Sequence, residues 1–238
     1  MPRFYLPALP ESGEIFLSDK VLRHIHVLRL RVGDALVLFD GAGNAVSAEL
    51  VSLDKRRAVC RIIGRADGAA ESPLNIMLIQ AVSAGERMEF TLQKSVELGV
   101  NAIQPVISRR SVVRLSGERA DKRQARWQEI VVSACEQCGR NTVPPVLPVL
   151  ELADYWRNAA PVPHLMMSLN QARSLKDLDA PQSLALLVGC EGGWTAEEEA
   201  AARAHGCQAF TLGGRVLRTE TAALAAVAAM QTLWGDFV

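Results

Sequence analysis

The hydrophobic pattern changes character once along this chain. Over residues 1–72, short apolar runs (Arg3–Leu6, Glu14–Leu17, Ala35–Phe39, Ala45–Leu53 and Ala58–Ile63) are parted by turn-forming segments such as Gly41-Ala-Gly-Asn44. Such spacing predicts β-strands joined by tight turns. One helix interrupts them: Ser18 or Asp19 is placed to cap it, and Val21, Leu22, Ile25 and Leu28 share one helical face. The segment Ala66–Pro73 reads as a linker. From Leu74 onward, buried-type strands (Ile76–Ala81, Ala102–Ile107, His164–Leu169, Leu184–Val188, Gln208–Leu212) alternate with amphipathic helices (Glu86–Leu98, Lys122–Gln137, one opened by the capping box Thr195–Glu198, and Thr219–Trp234). Gly99 is placed as the C-cap of the first of these helices, and Val143-Pro-Pro-Val-Leu-Pro148 breaks the chain after the second. Alternation of this kind predicts an α/β domain with a mainly parallel sheet and helices on both faces. The expected division is therefore a small β-rich module over 1–72 and an α/β domain over 73–238.

Composition fits that picture without adding to it: 238 residues, 49% hydrophobic and 22% charged, suffice for one large domain or two modest ones. The absence of a long uncharged apolar run and of a leader-like N-terminus points to a soluble, cytoplasmic protein with no membrane partner. Five scattered cysteines read as reduced thiols, and Cys135/Cys138 lack the second pair that a zinc site needs, so no metal is expected. Net charge is zero but uneven. Residues 109–140 carry eight Arg or Lys against four acids, and residues 141–238 carry six against ten. A basic middle beside an acidic end suggests an anionic partner on one face.

Candidate chemistry concentrates in two stretches, Leu186-Leu-Val-Gly-Cys-Glu-Gly-Gly-Trp194 and Leu212-Gly-Gly-Arg-Val-Leu-Arg-Thr-Glu-Thr221. Each leaves an apolar strand, passes through glycines and enters a helix, where an α/β sheet offers backbone groups to a small ligand. Neither has the dinucleotide-binding spacing or a P-loop lysine, which excludes an ordinary Rossmann cofactor or nucleoside triphosphate. Thr219 is placed as an N-cap, with Glu220 complementing the helix dipole. Arg215 and Arg218 in the same loop suit a phosphate or a developing negative charge. Arg140 and Asn141, just past a predicted Gly139 C-cap, stand in a loop where function tends to collect. Neither a metal spacing nor a nucleophile partner attends the four histidines, and His205 reads as helix C-terminal electrostatics.

Taken together, Lys94-Ser-Val-Glu-Leu-Gly99, Gln104-Pro-Val, Glu136-Gln-Cys-Gly-Arg140, Val188-Gly-Cys-Glu-Gly-Gly193 and Leu217-Arg-Thr-Glu-Thr-Ala222 form a set. With Pro2-Arg3-Phe4-Tyr5 and His24-Ile-His-Val-Leu-Arg29, that set resembles the bacterial 16S ribosomal RNA uridine N3-methyltransferases of the SPOUT superfamily, over nearly the whole chain and in order. The resemblance implies an α/β fold: a C-terminal trefoil-knot domain with a mainly parallel sheet, preceded by a small PUA-like β-barrel. It implies a homodimer, S-adenosylmethionine as cofactor, and 16S rRNA within the small ribosomal subunit as partner. Its knot loops place the cofactor against Ser168, Leu169, Val188, Gly189, Glu191, Gly192, Gly193, Leu212, Gly213, Val216, Leu217, Thr219 and Thr221. Cys190 and Gly214 stand where the family usually has proline. The uracil N3 is protonated near neutral pH, so Arg140 and Arg218 are candidate charge stabilisers, and Glu220 is a candidate base or a loop organiser. Arg3, Arg23, Arg29, Arg109, Arg110 and Arg114 are the candidate RNA-holding residues. A ribose 2′-O-methyltransferase of the same superfamily, or a non-catalytic RNA-binding assembly factor, are the rival readings. The small-residue final helix suits either a dimer contact or a buried core position.

Overall fold

A computed structural model describes residues 1–66, 68 and 70–237. The chain divides into two compact units, Met1–Glu71 with Cys135–Val143, and Ser72–Ala134 with Pro144–Val238. The excursion of 135–143 into the first unit has no counterpart in the sequence-based division at 72/73.

In the first unit, β1 (Arg3–Tyr5), β2 (Glu14–Phe16), β3 (Ala35–Phe39), β4 (Ala45–Leu53) and β5 (Ala58–Arg65) form one sheet in the order β1-β3-β4-β5-β2. β1 runs parallel to β3 and the other pairs are antiparallel. Helix α1 (Asp19–Val27) is capped by Ser18, whose Oγ accepts from Val21 N at 3.4 Å. It lays Val21, Leu22 and Ile25 into a core with Phe4, Leu36, Leu38, Leu50 and Cys60. Leu28, predicted on the same face, is the C-cap residue and is exposed, because the helix ends before the next turn brings that position inward.

The second unit is a seven-stranded sheet in which every pair is parallel. Its strands are β6 (Asn75–Ala81), β7 (Ala102–Ile107), β8 (Leu150–Glu151), β9 (His164–Met167), β10 (Arg173–Ser174), β11 (Ser183–Val188) and β12 (Gln208–Thr211), ordered β10-β12-β9-β11-β6-β7-β8. Its helices are α2 (Glu86–Glu97), α4 (Leu152–Arg157), α5 (Ala196–Ala204), α6 (Thr219–Trp234) and all but the last turn of α3 (Gly117–Cys138). Central strands read as unbroken apolar runs because both faces are covered. One face packs Ile79, Val106 and Leu187 on Trp156, Trp194 and Ala202, and α2 and α6 pack together with Leu92, Val96, Val227 and Met230 fully buried. The α/β class and parallel sheet are as expected. The strand order matters for function: β12, β9 and β11 are neighbours, so the loops leaving their carboxyl ends lie side by side, where ligands of open α/β sheets bind.

Candidate active site

The three loops enclose a cavity of about 460 Å³ within the second unit, a size suited to one small molecule. Every one of the loop residues named for the cofactor from Ser168 to Thr221 lines it. Met167, Asn170, Cys190, Trp194, Glu199 and Arg215 also contribute to the wall. The first loop was the faintest signal in the sequence, having no glycine. Glu199 was missed because it follows the capping residue Glu198 and reads as one more acid in a helix's first turn.

Glycine is required where the chain folds back on itself. A Cβ on Gly189 would stand 3.1 Å from the Cα of Gly193 and 3.3 Å from its carbonyl carbon, so a side chain there would push the two strands of the turn apart by a few tenths of an ångström. Gly192 has the same constraint from outside, with a Cβ meeting Arg110 Cβ at 2.9 Å. Arg110 Nη1 donates to the Gly192 carbonyl at 2.7 Å, so this arginine buttresses the loop. Cys190 is buried, its Sγ 3.5 Å from Ser108 Oγ.

Two acids on the wall differ in what they do. Glu191 turns its carboxylate outward to accept from Ala84 N (3.0 Å) and Arg87 Nη1 (2.9 Å), latching the loop to the start of α2. Burial raises its pKa, but these hydrogen bonds and the charge of Arg87 outweigh that and leave the carboxyl below 4.5. Glu199 is buried and accepts from Ser168 Oγ at 2.8 Å and Asn170 Nδ2 at 3.3 Å. It thereby organises the loop after β9, and its Oε2 also lies 3.7 Å from Arg203 Nη1.

Thr219 corrects the capping expectation. The N-cap position of α6 is Arg218, which makes no side-chain cap bond. The Thr219 hydroxyl instead donates to the Gly189 carbonyl at 2.6 Å and accepts from Gln80 Nε2 at 3.0 Å. Arg218 is exposed, while Glu220 is half-buried with Oε2 enclosed and without a hydrogen-bond partner among the described residues. Neither lines the cavity, although both adjoin residues that do.

Arg140 occupies a different place from the one expected of a charge stabiliser. It belongs to the first unit, is 1% exposed, and donates through Nε (3.0 Å) and Nη2 (2.7 Å) to Glu71 Oε2. Glu71 Oε1 accepts from Thr142 N at 3.1 Å, and Glu136 Oε1 accepts from Tyr5 N at 3.0 Å. The Glu136–Arg140 motif thus contributes to an internal frame of the first unit.

Of the candidate RNA-holding arginines, Arg23, Arg29, Arg109, Arg110 and Arg114 are exposed. Arg3 is half-buried, hydrogen-bonded to Asn141 Oδ1 and set 5.4 Å from the centre of the Phe39 ring, with burial lowering its pKa. Arg114 Nη2 donates to the Arg109 carbonyl at 2.9 Å. Cys135 is sealed in the first unit, its thiol pushed up to about 12 by burial. Among the described residues no group of three or more His, Cys, Asp or Glu side chains is placed to hold a metal. No helix in them is long and apolar enough to cross a membrane.

Comparison with known proteins bears on this geometry. Residues 70–231 match the family described as RNA methyltransferase domain, and residues 17–63 match the RNA methyltransferase PUA domain. A crystal structure of a ribosomal RNA small subunit methyltransferase E from Neisseria gonorrhoeae, bound to S-adenosyl methionine, superposes with a TM-score of 0.96 at 56% identity, covering 100% of both chains. A Legionella pneumophila protein solved in complex with the bound cofactor SAM gives a TM-score of 0.95 at 37% identity, over 99% of this chain and 98% of that one. The ribosomal RNA small subunit methyltransferase E of Buchnera aphidicola is 30% identical over 242 residues, spanning 100% of this chain and 95% of its own.

Proposed function

From the premise that this chain belongs to the RNA methyltransferase family, we propose that it methylates N3 of a uridine in 16S ribosomal RNA on the small subunit, working as a cytoplasmic homodimer. It is an S-adenosylmethionine-dependent rRNA methyltransferase. The observation that carries the reading is the cavity: a backbone-lined cradle at the carboxyl ends of three adjacent strands, with a tight turn that a Cβ at Gly189 would crowd.

The residues present fit that cofactor. Apolar walls from Leu169, Val188 and Leu217 suit an adenine ring, and the buried Glu199 carboxylate suits a ligand bearing ammonium and sulfonium charge. When bound, the cofactor supplies an electrophilic methyl carbon for an in-line displacement. The chain's task is then orientation of donor and acceptor and disposal of the proton on uracil N3. Arg218, free of a capping role and beside the cavity, stabilises charge developing on the carbonyl oxygens flanking N3. Glu220, in the first turn of the same helix, takes the proton. A base must present its Watson–Crick edge to such a site, so the target is unpaired or extruded. Arg23 and Arg29 on the first unit, and Arg109, Arg110 and Arg114 on the second, hold the RNA backbone.

The homodimer reading rests on α6. Glu220 is the one charged residue between Thr219 and Trp234, and of the positions turned away from the core Leu224, Ala225, Ala228, Ala229 and Leu233 are apolar, with Thr221 and Thr232 the polar ones. A helix with no charged outer face calls for a second covering surface. Incubation with methyl-labelled S-adenosylmethionine and small subunits lacking the modification tests the whole reading. Label recovered as 3-methyluridine from the 16S rRNA is the expected result. Label on a ribose 2′-oxygen, or no incorporation, refutes it.

A further inference from the structure

A buried run of hydrogen bonds ends on the cavity wall. Gln80, on β6 beneath the site, is fully buried and is not part of the wall. Its Nε2 donates to the Ala81 carbonyl at 3.0 Å and to Thr219 Oγ1 at 3.0 Å, and Thr219 Oγ1 donates to the Gly189 carbonyl at 2.6 Å. Carbonyl oxygens only accept, and the hydroxyl has given its single proton to Gly189, so both neighbours of the amide nitrogen demand a donor. The amide orientation is thereby fixed. Its Oε1 is left enclosed with no hydrogen-bond partner among the described residues. An orphaned buried carbonyl is a cost that methionine or leucine would avoid at a position used only for packing.

Resting on the cofactor reading above, we propose that Gln80 is a positioning residue for cofactor binding. By holding the Thr219 hydroxyl on the Gly189 carbonyl, it sets the spacing between the loop after β11 and the start of α6, two walls of the cavity. Fixing that carbonyl also fixes the peptide plane from Gly189 to Cys190, since C=O and N–H of a trans peptide point oppositely. Gln80 itself touches no ligand in this scheme.

The test is titration calorimetry of S-adenosylmethionine into the intact protein and into Gln80→Met, Thr219→Val, Thr219→Ser and the Gln80→Met/Thr219→Val double variant, with melting profiles recorded for each. We expect about tenfold weaker binding in Gln80→Met and in Thr219→Val. Thr219→Ser, which keeps the hydroxyl, stays within about twofold. The double variant should be no weaker than the worse single one, because both changes cut one chain of bonds. In turnover assays KM for the cofactor rises in Gln80→Met while KM for the RNA holds. Wild-type affinity in Gln80→Met with an unaltered melting profile overturns the proposal, as do additive losses in the double variant. If Gln80→Met does not fold, Thr219→Ser binding as poorly as Thr219→Val overturns it. Absence of binding by the wild-type protein overturns the cofactor reading itself, a separate and distinguishable failure.

Discussion

Arg140 separates a structural role from a catalytic one. Replacing it by methionine keeps much of its bulk and removes both bonds to Glu71 Oε2, at 3.0 and 2.7 Å. Breaking one partner out of a buried pair costs about 3–5 kcal/mol. The Glu71 side chain retains 23% of its exposure, so water relieves part of that cost, and about 2–3 kcal/mol remains. The loss falls on the first unit, which holds both residues. Trp127, Trp156, Trp194 and Trp234 all belong to the second unit, so fluorescence follows that unit alone. Hydrogen exchange at the amides of β3 and β4 follows the first. In Arg140→Met, protection of those amides should fall roughly 30- to 150-fold. Tryptophan-monitored unfolding and S-adenosylmethionine affinity should stay near wild type. Adding Glu71→Gln should recover part of the loss, since it removes the stranded charge. Unchanged protection together with abolished methylation would refute this reasoning and return Arg140 to the substrate.

Glu220→Gln should lower kcat by roughly 10²- to 10⁴-fold and leave cofactor KM within a few-fold; a change confined to stability would make Glu220 a loop organiser. Ala228→Glu should shift the light-scattering mass from two chains to one, and an unchanged mass would remove α6 from the dimer contact. His164 is buried with Nδ1 facing the Val162 carbonyl at 2.7 Å and Nε2 facing the Tyr155 hydroxyl at 2.8 Å, so Nδ1 carries a proton. Burial, with His205 adding, holds its pKa below the ordinary 6.5 despite the Val162 bond. The unfolded chain therefore binds a proton first as pH falls, and stability should drop below about pH 6.5. That contribution to the thermal midpoint should vanish in His164→Gln.

Much of the fold is legible in the sequence itself. The strands β3, β4 and β7 and the helix α6 lie where the apolar runs put them, β3 and β7 because nearly every position is buried and α6 because its long small-residue run admits no turn. Ser18 and the Thr195–Glu198 box cap as expected, since capping is a local bond between near neighbours. What escaped depends on contacts distant in sequence. The two-residue strands β8 and β10 and the six-residue α4 are too short to show a period. The first turns of α3 are polar and exposed, so its start at Gly117 left no apolar trace. Thr219 has the residue type and position of a cap, and only the nearness of Gly189 and Gln80 diverts its hydroxyl. Arg140 has the loop placement of a functional residue, and nothing nearby in sequence announces Glu71 as its partner. For the site itself, the two glycine loops were legible as loops that follow apolar strands, while their convergence depends on β9 lying between β11 and β12.

Gly189→Ala bears most directly on where the methyl donor sits. The added Cβ would meet Gly193 backbone atoms at 3.1 and 3.3 Å, and relieving such overpacking costs about 1–3 kcal/mol, or roughly five- to 150-fold in affinity. Calorimetric titration with S-adenosylmethionine should find one site per wild-type chain and a loss of that size in the variant, with the tryptophan unfolding curve of each measured alongside. Equal affinity in the two proteins would mean the donor lodges somewhere other than the cavity between these loops.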